Sequence, residues 1–268
     1  AVALSAAPGS NRQGETELMP GPQGNPARFP MLLVVAAPAE GAAVGRAFDA
    51  SRFAPKDSAP VLWRAVPLAE GVEMVVTGVG KANASAGTAR VFEPLRHRAV
   101  VSLGIGGALP RSRLNLLDCV VASRSEYADE GVRTPERFID IAACGFAPNQ
   151  GVGRPDRGVD AEPALLGEIA ERLGARAGTV ATVSTCSGRN RDAVKVVERT
   201  GAIVEAMEGA AVGFTVLRMA HEAGAVVPFV EIRVVSNTTG NRARQRWDLA
   251  GALTRLTEVA GTLAQGRA

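Results

Sequence analysis

Glu208 is well placed for polar chemistry because it stands where a short apolar run turns into a helical stretch. The run covers residues 203–205, and Met207 and Glu208 follow it. A carboxylate can accept hydrogen bonds from two adjacent hydroxyls, which is the arrangement that a ribose 2′,3′-diol presents. The plainer interpretation is an acid in a first helical turn beside a methionine that fills core space. Glu40 follows the apolar run at residues 31–37, and taken alone it favours that helix-dipole interpretation.

Two glycine-rich turns also follow apolar runs, at residues 77–83 and 104–110. Both are similar to a dinucleotide-binding fingerprint, but each lacks the third glycine, and the second runs into Pro110 instead of a long helix. A Rossmann cofactor site is therefore disfavoured, and we expect no cofactor. Gly106 and Gly107 still permit a ligand to approach the backbone closely, although a plain tight turn explains them equally well.

The apolar run at residues 227–235 ends in a serine and Asn237, and an arginine-rich segment follows. An asparagine shortly before a glycine is commonly a turn residue or a helix cap. The arginines are Arg242, Arg244 and Arg246. Such a group is usually a solvated loop, but it can equally form a clamp for a carboxylate or a phosphate.

The familiar catalytic sets are incomplete in this sequence. Cys186 falls at a strand end without a basic partner, which favours a pocket-lining or buried thiol over a nucleophile. His97 and His221 stand apart from any serine or cysteine motif, so we expect both to be surface histidines. The three cysteines are too widely spaced for a disulfide framework or a metal site, and we expect no metal.

Short apolar runs alternate with stretches of helical spacing, and these elements must position the polar residues. The predicted strands lie at residues 31–37, 73–79, 99–105, 119–122, 179–183, 203–205 and 227–235. The predicted helices lie at residues 39–50, 81–95, 161–173, 192–199, 209–223 and 249–263. Continuous apolar strands between amphipathic helices are typical of a sheet covered on both faces. We therefore predict an α/β fold of three layers, with a central mixed, largely parallel sheet flanked by helices and a ligand site at the carboxyl ends of its strands.

The composition of the 268 residues is that of a globular protein, with 30 basic and 27 acidic side chains and 46% hydrophobic residues. Residues 1–29 are small, polar, glycine and proline residues without a period, so we predict a disordered N-terminal extension and a single domain at residues 30–268. No apolar run reaches the roughly 18 residues that a membrane helix needs, which argues against a membrane partner. Scattered arginines and an aromatic content of 4% argue against nucleic acid. The few cysteines favour the cytoplasm.

Taken together and in this order, the polar segments resemble the nucleoside phosphorylase and nucleosidase superfamily over about residues 31–263. The sequence Met-Glu-Gly-Ala-Ala at residues 207–211, with residues 228–233 and the Ser-Asn pair after them, is similar to the pattern of its hydrolytic members. Residues 127–132 and 184–188, with the segment that leads into Trp247, are most similar to the futalosine hydrolases. That family splits the nucleoside futalosine into hypoxanthine and dehypoxanthinyl futalosine on a route to menaquinone. The resemblance therefore implies an N-glycosyl hydrolase with a small-molecule nucleoside substrate.

The resemblance also implies roles for individual residues. Glu40 corresponds to the carboxylate that activates water, Glu208 binds the ribose hydroxyls, and Met207 packs against the sugar. The turn that contains Gly106 and Gly107 lines the sugar pocket. Residues 184–188, with Thr185 and Ser187, form part of the wall around the base. Because members of the superfamily commonly assemble, the resemblance implies a homo-oligomer whose neighbouring subunit completes the pocket.

Asn237 stands where the adenine-specific nucleosidases of the superfamily have an aspartate. An aspartic acid can protonate N7 of adenine and accept a hydrogen bond from its 6-amino group. Asparagine offers an NH₂ donor and a carbonyl acceptor but no titratable proton, which suits the O6 acceptor and N7–H donor of a 6-oxopurine. We therefore expect hypoxanthine as the base, with Asn237 stabilising the negative charge of the leaving purine.

Futalosine carries a carboxyphenyl ketone chain at its 5′ end, so a matching pocket needs apolar surface for the ring and a cation for the carboxylate. The planar fork of arginine suits the second task. Arg242 and Arg244 are the candidates of first rank, ahead of Arg246, and Trp247 can pack beside the ring.

Two other functions stay open from the sequence. A purine nucleoside phosphorylase, or another 6-oxopurine nucleosidase, would act on the same class of substrate. The Gly-Asp-Pro-x-Arg phosphate loop of the phosphorylases is missing near the first strand, where Pro38 and Glu40 stand, and this favours hydrolysis. A nucleoside-binding protein without catalysis would keep the fold and the ribose site. Dependence on phosphate separates the first alternative, and turnover of a 6-oxopurine nucleoside separates the last.

Overall fold

The structure is a computed structural model that describes residues 19–20, 29–48 and 61–265. Most of the predicted N-terminal extension, at residues 1–18 and 21–28, lies outside the described residues. The strands are β1 (Met19–Pro20), β2 (Met31–Val35), β3 (Ala65–Ala69), β4 (Val72–Val76), β5 (Ala99–Ala108), β6 (Cys119–Tyr127), β7 (Gly131–Arg133), β8 (Phe138–Asp140), β9 (Gly158–Asp160), β10 (Arg176–Thr182), β11 (Val204–Ala206), β12 (Ala225–Val226) and β13 (Phe229–Thr238). The helices are α1 (Pro38–Arg46), α2 (Lys81–Val91), α3 (Pro163–Leu173), α4 (Asn190–Thr200), α5 (Gly209–Glu222) and α6 (Leu249–Gln265), with a 3₁₀ turn at Arg242–Arg244.

Nine of the strands form one mixed sheet in the order β11-β10-β6-β13-β5-β2-β4-β3, and β9 pairs with β6 beside this row. The pairs β2–β4, β2–β5, β5–β13, β6–β10 and β10–β11 are parallel. The pairs β3–β4, β6–β9 and β6–β13 are antiparallel. The end of β5 also pairs with β11 in antiparallel register, so β5, β13, β6, β10 and β11 close into a ring. The predicted α/β fold with a mixed, largely parallel central sheet is confirmed.

Helices cover both faces of the sheet, as the alternation of side chains along β2 illustrates. Leu33 packs toward α1, α3 and α6, whereas Leu32 and Val34 pack toward α2 and α5. Both sets are buried, which explains why this strand reads as an unbroken apolar run. The core therefore lies in two layers, one on each side of the sheet.

A third apolar cluster fills the ring of five strands. It takes Ala108 from β5, Val120 from β6, Val180 from β10, Val204 from β11 and Val235 from β13. Since the ring holds β11 across the end of β5, the residues that follow β11 are brought beside the carboxyl ends of β2, β5 and β13. The sheet thus gathers the polar segments of the sequence at one edge.

The strands that the sequence does not predict are short or exposed. β3 has Pro67 at its centre and lies at the edge of the sheet, where four of its five residues are not buried. β7 and β8 form a separate two-stranded hairpin. The six predicted helices are all present, although α1 ends at Arg46. Within the described ranges, no helix combines the length and the apolarity needed to cross a membrane.

The expectation that His97 is a surface histidine is wrong. Its side chain is fully buried beneath the end of α2, where the backbone N–H of Glu93 donates to His97 Nδ1 at 3.0 Å. His97 Nε2 lies 3.4 Å from Glu73 Oε2. Burial lowers the pKa of His97, and the hydrogen bond to Glu73 acts against that shift. His97 is therefore a histidine of the core and lies away from the polar edge of the sheet.

Candidate active site

A cavity of about 520 Å³ opens at the carboxyl ends of β2, β5 and β13, where β11 crosses the end of β5. Its lining residues come from the segments 36–40, 105–107, 186–188, 205–208 and 236–253, together with Val79. Residues far apart in the sequence therefore meet around one space large enough for a small organic ligand.

Glu40 lies in the first turn of α1, is 5% exposed and faces the cavity. The backbone N–H of Ala37 donates to Glu40 Oε2 at 2.7 Å. The backbone N–H of Ile105 donates to Glu40 Oε1 at 2.8 Å. Burial raises the pKa of Glu40 above its ordinary value of 4.5, while these hydrogen bonds and the charge of Arg233 act against the rise. The carboxyl group is thus fixed in place and has an increased affinity for a proton.

Gly104 allows the Glu40 and Arg233 side chains to approach each other behind the cavity. A Cβ at this position of β5 would lie 2.7 Å from Glu40 Oε1 and closer still to Arg233 Nη1. Any larger residue would therefore displace one of the two charged side chains. The glycine is required by close approach of these side chains to the backbone.

Arg233 is 1% exposed and lies in the middle of β13. Its Nε donates to Glu231 Oε1 at 2.7 Å, and its Nη2 donates to Ser102 Oγ at 3.1 Å. The same Nη2 lies 3.6 Å from Glu208 Oε2. Burial opposes the charge of Arg233, but the neighbouring carboxylates of Glu231, Glu208 and Glu40 raise its pKa. Arg233 is therefore protonated, and its positive charge interacts with three carboxylates.

Glu231 fixes the position of Arg233 and packs against the first residue of α5. Ser125 Oγ donates to Glu231 Oε2 at 2.5 Å, and Arg233 occupies its other oxygen. A Cβ at Gly209, the first residue of α5, would overlap this carboxylate. We call Glu40, Glu208, Glu231 and Arg233 the inner cluster.

Glu208 precedes α5, is 6% exposed and lines the cavity. The backbone N–H of Gly80 donates to Glu208 Oε1 at 3.0 Å. The backbone N–H of Met207 donates to Glu208 Oε2 at 3.3 Å. Gly80 has a φ of 94°, a conformation that favours glycine, so the first glycine-rich turn of the sequence serves to present an N–H to this acid.

Asn237 is half-buried near the end of β13, and its amide is engaged on both sides. Ser236 Oγ donates to Asn237 Oδ1 at 2.9 Å, and Asn237 Nδ2 donates to the carbonyl of Thr238 at 3.1 Å. These bonds fix which end of the amide carries the NH₂ group. Since Nδ2 carries two hydrogens, one donor stays available to a ligand in the cavity.

Glu205 and Ser187 form a further polar pair in the cavity wall. Ser187 donates to the carboxylate twice, from its backbone N–H to Oε1 at 2.8 Å and from its Oγ to Oε2 at 2.7 Å. Both residues are buried. Burial raises the pKa of Glu205, and the two hydrogen bonds from Ser187 act against the rise.

The outer part of the cavity is formed by Arg242, Gln245 and Trp247, which we call the outer rim. The guanidinium of Arg242 lies over the ring of Trp247, 4.6 Å from its centroid. Gln245 Oε1 accepts from Arg242 Nη1 at 2.9 Å and from Trp247 Nε1 at 3.1 Å. Arg242 and Trp247 are both exposed, so the rim pairs an aromatic surface with an accessible cation.

Cys186 lines the cavity as expected of a pocket-lining thiol. Burial and the nearby carboxylates of Glu205 and Glu208 raise its pKa to about 11. A thiol of this kind is protonated near neutral pH and is a poor nucleophile. Over the described residues, histidine, cysteine and acidic side chains form no cluster that could hold a metal ion.

The structure brings most of the predicted site residues to this cavity. Its lining includes Glu40, Gly106, Gly107, Ser187, Met207, Glu208, Asn237 and Arg242. Thr185 and Arg244 are exposed and are not part of the lining. Of the arginines ranked first for a carboxylate, Arg242 alone faces the cavity.

Sequence alone assigns no role to Arg233 or Glu205, and both belong to the site. The spacing of charged residues in the predicted strand could have indicated a role for Arg233. Glu231 and Arg233 lie two positions apart in an apolar strand, so their side chains share a face and form a buried pair. Glu205 has no comparable signal, because its partner Ser187 lies 18 positions away in a different segment.

Comparison with known proteins identifies the family of this chain. Residues 62–265 match the family model of the phosphorylase superfamily. The chain is 36% identical over 242 residues to a futalosine hydrolase of Streptomyces coelicolor, covering 87% of this chain and 94% of that protein. It is 32% identical over 238 residues to a futalosine hydrolase of Acidothermus cellulolyticus, covering 87% and 89% of the two chains.

A solved structure has a similar fold. It is the 5′-methylthioadenosine/S-adenosylhomocysteine nucleosidase of Neisseria meningitidis in complex with methylthio-immucillin-A. The TM-score is 0.65 at 18% identity, and the match covers 88% of this chain and 98% of that one. The family model covers most of the described residues, and a futalosine hydrolase that is more than one-third identical matches over nearly its full length. This chain therefore belongs to the phosphorylase superfamily and, within it, to the futalosine hydrolase family.

Proposed function

We propose that this protein is a futalosine hydrolase, which cleaves the N-glycosidic bond of futalosine with water to give hypoxanthine and dehypoxanthinyl futalosine. The observation that carries the proposal is the pair of buried carboxylates, Glu40 and Glu208, that face one cavity and share Arg233. The two relatives named above supply the substrate. The reaction then belongs to menaquinone biosynthesis.

Glu40 activates the attacking water in this proposal. The N–H groups of Ala37 and Ile105 fix both of its oxygens, which leaves the other lone pairs directed at the cavity. A base works best when its pKa approaches the working pH, and burial shifts Glu40 in that direction. Water bound to Glu40 gives up its proton to the carboxylate as its oxygen attacks C1′ of the ribose and the C1′–N9 bond breaks. The purine leaves with the electron pair of that bond and takes up a proton from solvent, and Glu40 later releases its own proton to solvent.

Glu208 binds the ribose hydroxyls. The N–H groups of Gly80 and Met207 hold its carboxylate, and Arg233 lies on its inner side. Cleavage of the glycosidic bond develops positive oxocarbenium character on the sugar, and a carboxylate close to the ring stabilises that charge. Met207, which is half-buried in the same wall, packs against the sugar.

Asn237 stabilises the departing purine. Its Nδ2 has one free hydrogen after the bond to the Thr238 carbonyl, so it can donate to the base as negative charge develops there. Because an asparagine has no proton to lose, it offers no acid that would protonate an adenine. The amide is therefore suited to a 6-oxopurine leaving group.

The outer rim holds the carboxyphenyl ketone chain. Trp247 offers the aromatic face, and the guanidinium of Arg242 above it offers the cation for the carboxylate. Arg244 lies outside the cavity lining, so we propose Arg242 and not Arg244 as the clamp for the carboxylate.

Hydrolysis is favoured over phosphorolysis by the state of Arg233. A phosphate nucleophile requires cations that are free to bind it, whereas Arg233 is already engaged by Glu231, Ser102 and Glu208. The charged groups of the inner cluster that face the cavity are carboxylates, which repel phosphate and accept hydrogen bonds from water.

We also propose a cytoplasmic homo-oligomer. The free thiols of Cys119, Cys144 and Cys186 suit a reducing compartment. Val79 lines the cavity and is 51% exposed, so a neighbouring copy that covers it would complete the cavity mouth. Light scattering after size-exclusion chromatography tests the assembly, and a monomer at micromolar concentration would contradict it.

The decisive experiment incubates the purified chain with futalosine in phosphate-free buffer and separates the products by chromatography. We expect equal amounts of hypoxanthine and dehypoxanthinyl futalosine, with no change when phosphate is added. Inosine and methylthioadenosine run in parallel should react more slowly than futalosine. Formation of a sugar 1-phosphate would identify a phosphorylase, and binding without turnover would identify a binding protein; either result overturns the proposal.

A further inference from the structure

Glu205 is a buried carboxylate in the cavity wall that the proposed mechanism does not use. Its side chain is 4% exposed, and Ser187 donates a hydrogen bond to each of its oxygens. Val204 and Ala206, its neighbours along β11, point into the apolar ring of strands, so Glu205 points to the opposite side. Within the described part of the chain, Glu205 has no ion-pair partner. A buried acid in this position calls for a donor that the ligand can supply.

Glu205 and Asn237 face the same space from two sides. In the register of the sheet, Glu205 of β11 and Asn237 of β13 both lie opposite Gly107 of β5. Residues directly opposite each other on paired strands have side chains on the same face. The three residues therefore form a row across three strands, and the middle one has no side chain.

The glycine at the centre of this row lets Asn237 pack against the β5 backbone. A Cβ at Gly107 would lie 2.7 Å from Thr239 Cγ2 and 3.0 Å from Asn237 Nδ2, so a larger residue would displace one of the two side chains. Glu205, Gly107 and Asn237 all line the cavity, and we call the part of the cavity between the Glu205 and Asn237 side chains the slot. Adjacent strands are about 4.8 Å apart, which puts the backbones of Glu205 and Asn237 about 10 Å apart. This separation leaves room for the edge of a flat heterocycle, with one polar side chain at each end.

The chemistry of the two ends matches a 6-oxopurine. As part of the nucleoside, a 6-oxopurine has acceptors at O6 and at N7 and a donor at N1–H, and N7 can carry a proton only once the base has left. A 6-aminopurine has a lone pair at N1 instead. With Asn237 at the N7 and O6 side, the N1–H falls on the side of the Glu205 carboxylate.

We propose that Glu205 is the specificity-determining residue that accepts a hydrogen bond from N1–H of the 6-oxopurine base, an inference that rests on the proposed function. Ser187 holds the carboxylate so that its remaining lone pairs face the slot. The N1 lone pair of an adenine would face a buried carboxylate without a proton between them, which is unfavourable. Asn237 thus acts on the leaving group at one end of the base, and Glu205 selects the base at the other end.

The test compares inosine with 1-deazainosine, in which a C–H replaces N1–H at nearly the same size and the lactam proton moves to N3 or O6. Because that second change is the same for every variant, the difference in ratio between the wild-type protein and Glu205→Gln isolates the contact at N1. In the wild-type protein, kcat/KM for inosine should exceed that for 1-deazainosine by at least about tenfold, the effect of one hydrogen bond to a charged group. A wild-type ratio within twofold of one, with both nucleosides turned over, overturns the proposal whatever the variants do.

The variant Glu205→Gln refines the test. The backbone N–H of Ser187 fixes the amide oxygen on its own side, so the NH₂ group replaces the second oxygen. The ratio of inosine to 1-deazainosine should fall to within about threefold, through loss of activity on inosine alone. Equal losses on the two nucleosides would show a purely structural role and would also overturn the proposal.

Glu198→Gln is the matched control, because Glu198 is an exposed acid on α4 away from the cavity. Its ratio should equal that of the wild-type protein. Failure of the wild-type chain to hydrolyse futalosine or inosine at all would contradict the proposed function itself. Normal hydrolysis with an unchanged ratio in Glu205→Gln would contradict only the role of Glu205.

Discussion

In the inner cluster, Glu40 and Glu208 are almost completely buried, and backbone N–H groups from distant segments hold each carboxylate. In the outer rim, Arg242 and Trp247 are exposed, and their side chains contact each other and Gln245. The backbone N–H of Arg242 and the side chain of Gln245 also donate to the carbonyls of Gly188 and Ser187. Backbone donors from distant segments therefore hold the carboxylates of the inner cluster, whereas the guanidinium and indole of the rim contact side chains of their own segment.

This difference separates two tasks of one cavity. Charges that stabilise a transition state must not reorganise during the reaction, and burial with fixed donors provides that rigidity. Side chains that select a substrate group at the cavity mouth need less rigidity and can be exchanged at lower cost to the fold. Mutations in the inner cluster should therefore affect turnover of every nucleoside, and mutations in the rim should affect one substrate.

The largest effect is expected from Glu40→Gln. An amide cannot take a proton from water, so kcat should fall by about 10³ with little change in KM, within the range of general base catalysis. Steady-state kinetics with futalosine and with inosine checks this, and calorimetry should show that nucleoside binding persists. Glu70→Gln, a change at an exposed acid before β4, is the control.

The pH profile of the wild-type protein provides a second measure of Glu40. The base must be deprotonated, and burial raises its pKa, so kcat should fall as pH drops through a value above 4.5. The neighbouring charges are Arg233, which stabilises the carboxylate, and Glu208, which destabilises it. Full activity of Glu40→Gln, with an unchanged acidic limb, would assign the base to another residue.

Glu208→Gln should lower kcat/KM for all nucleoside substrates by about 10², the loss expected when one charged contact to a transition state is removed. The side chain keeps its shape, and the N–H of Gly80 can still donate to an amide oxygen, but the NH₂ group then faces the N–H of Met207 and the guanidinium of Arg233. The melting temperature should therefore fall by a few degrees while the protein stays folded. A folded variant with near-normal turnover would remove Glu208 from the ribose site.

Asn237→Asp should shift selectivity from 6-oxopurine toward 6-aminopurine nucleosides by at least about tenfold. The new Oδ2 would stand where Nδ2 now lies beside the carbonyl of Thr238, and repulsion between the two oxygens favours a proton on the carboxyl group. That single proton donates to the carbonyl in the free protein and turns to N7 when an adenine nucleoside binds. The ratio of kcat/KM for adenosine and inosine is the measurement, and an unchanged ratio would contradict the assignment of Asn237.

The smallest effect is expected from Arg242→Ala. Because Arg242 is exposed, an ion pair with the substrate carboxylate contributes up to about 1 kcal/mol, so KM for futalosine should rise about fivefold. The KM for inosine should stay within twofold, since inosine has no carboxylate. Arg244→Ala is the matched control from the same 3₁₀ turn and should change neither value. Equal losses on both substrates would indicate a structural role for Arg242.

The local sequence predicts most elements of the fold, and the motifs predict the family. Hydrophobic periodicity is a property of neighbouring residues, so β2, β5, β13 and the helices were predicted close to their observed bounds. β3 escaped prediction because Pro67 interrupts it and its exposed face has no apolar alternation. His97 was misplaced for a similar reason, since charged neighbours in the sequence give no sign of burial.

The residue types of the site, and the strand that each residue follows, can be seen in the sequence: Glu40, Glu208 and Asn237 are all at strand ends that a parallel sheet brings together. The contacts that hold these side chains depend on the folded chain. The backbone N–H of Ile105 donates to Glu40, which is 65 positions away in the sequence, and the backbone N–H of Gly80 donates to Glu208, which is 128 positions away. The closed ring of strands sets these partners, together with the contacts of Arg233 and the row through Glu205. Such contacts depend on strand order and register, which are set by packing of the whole chain and leave no trace in a local pattern.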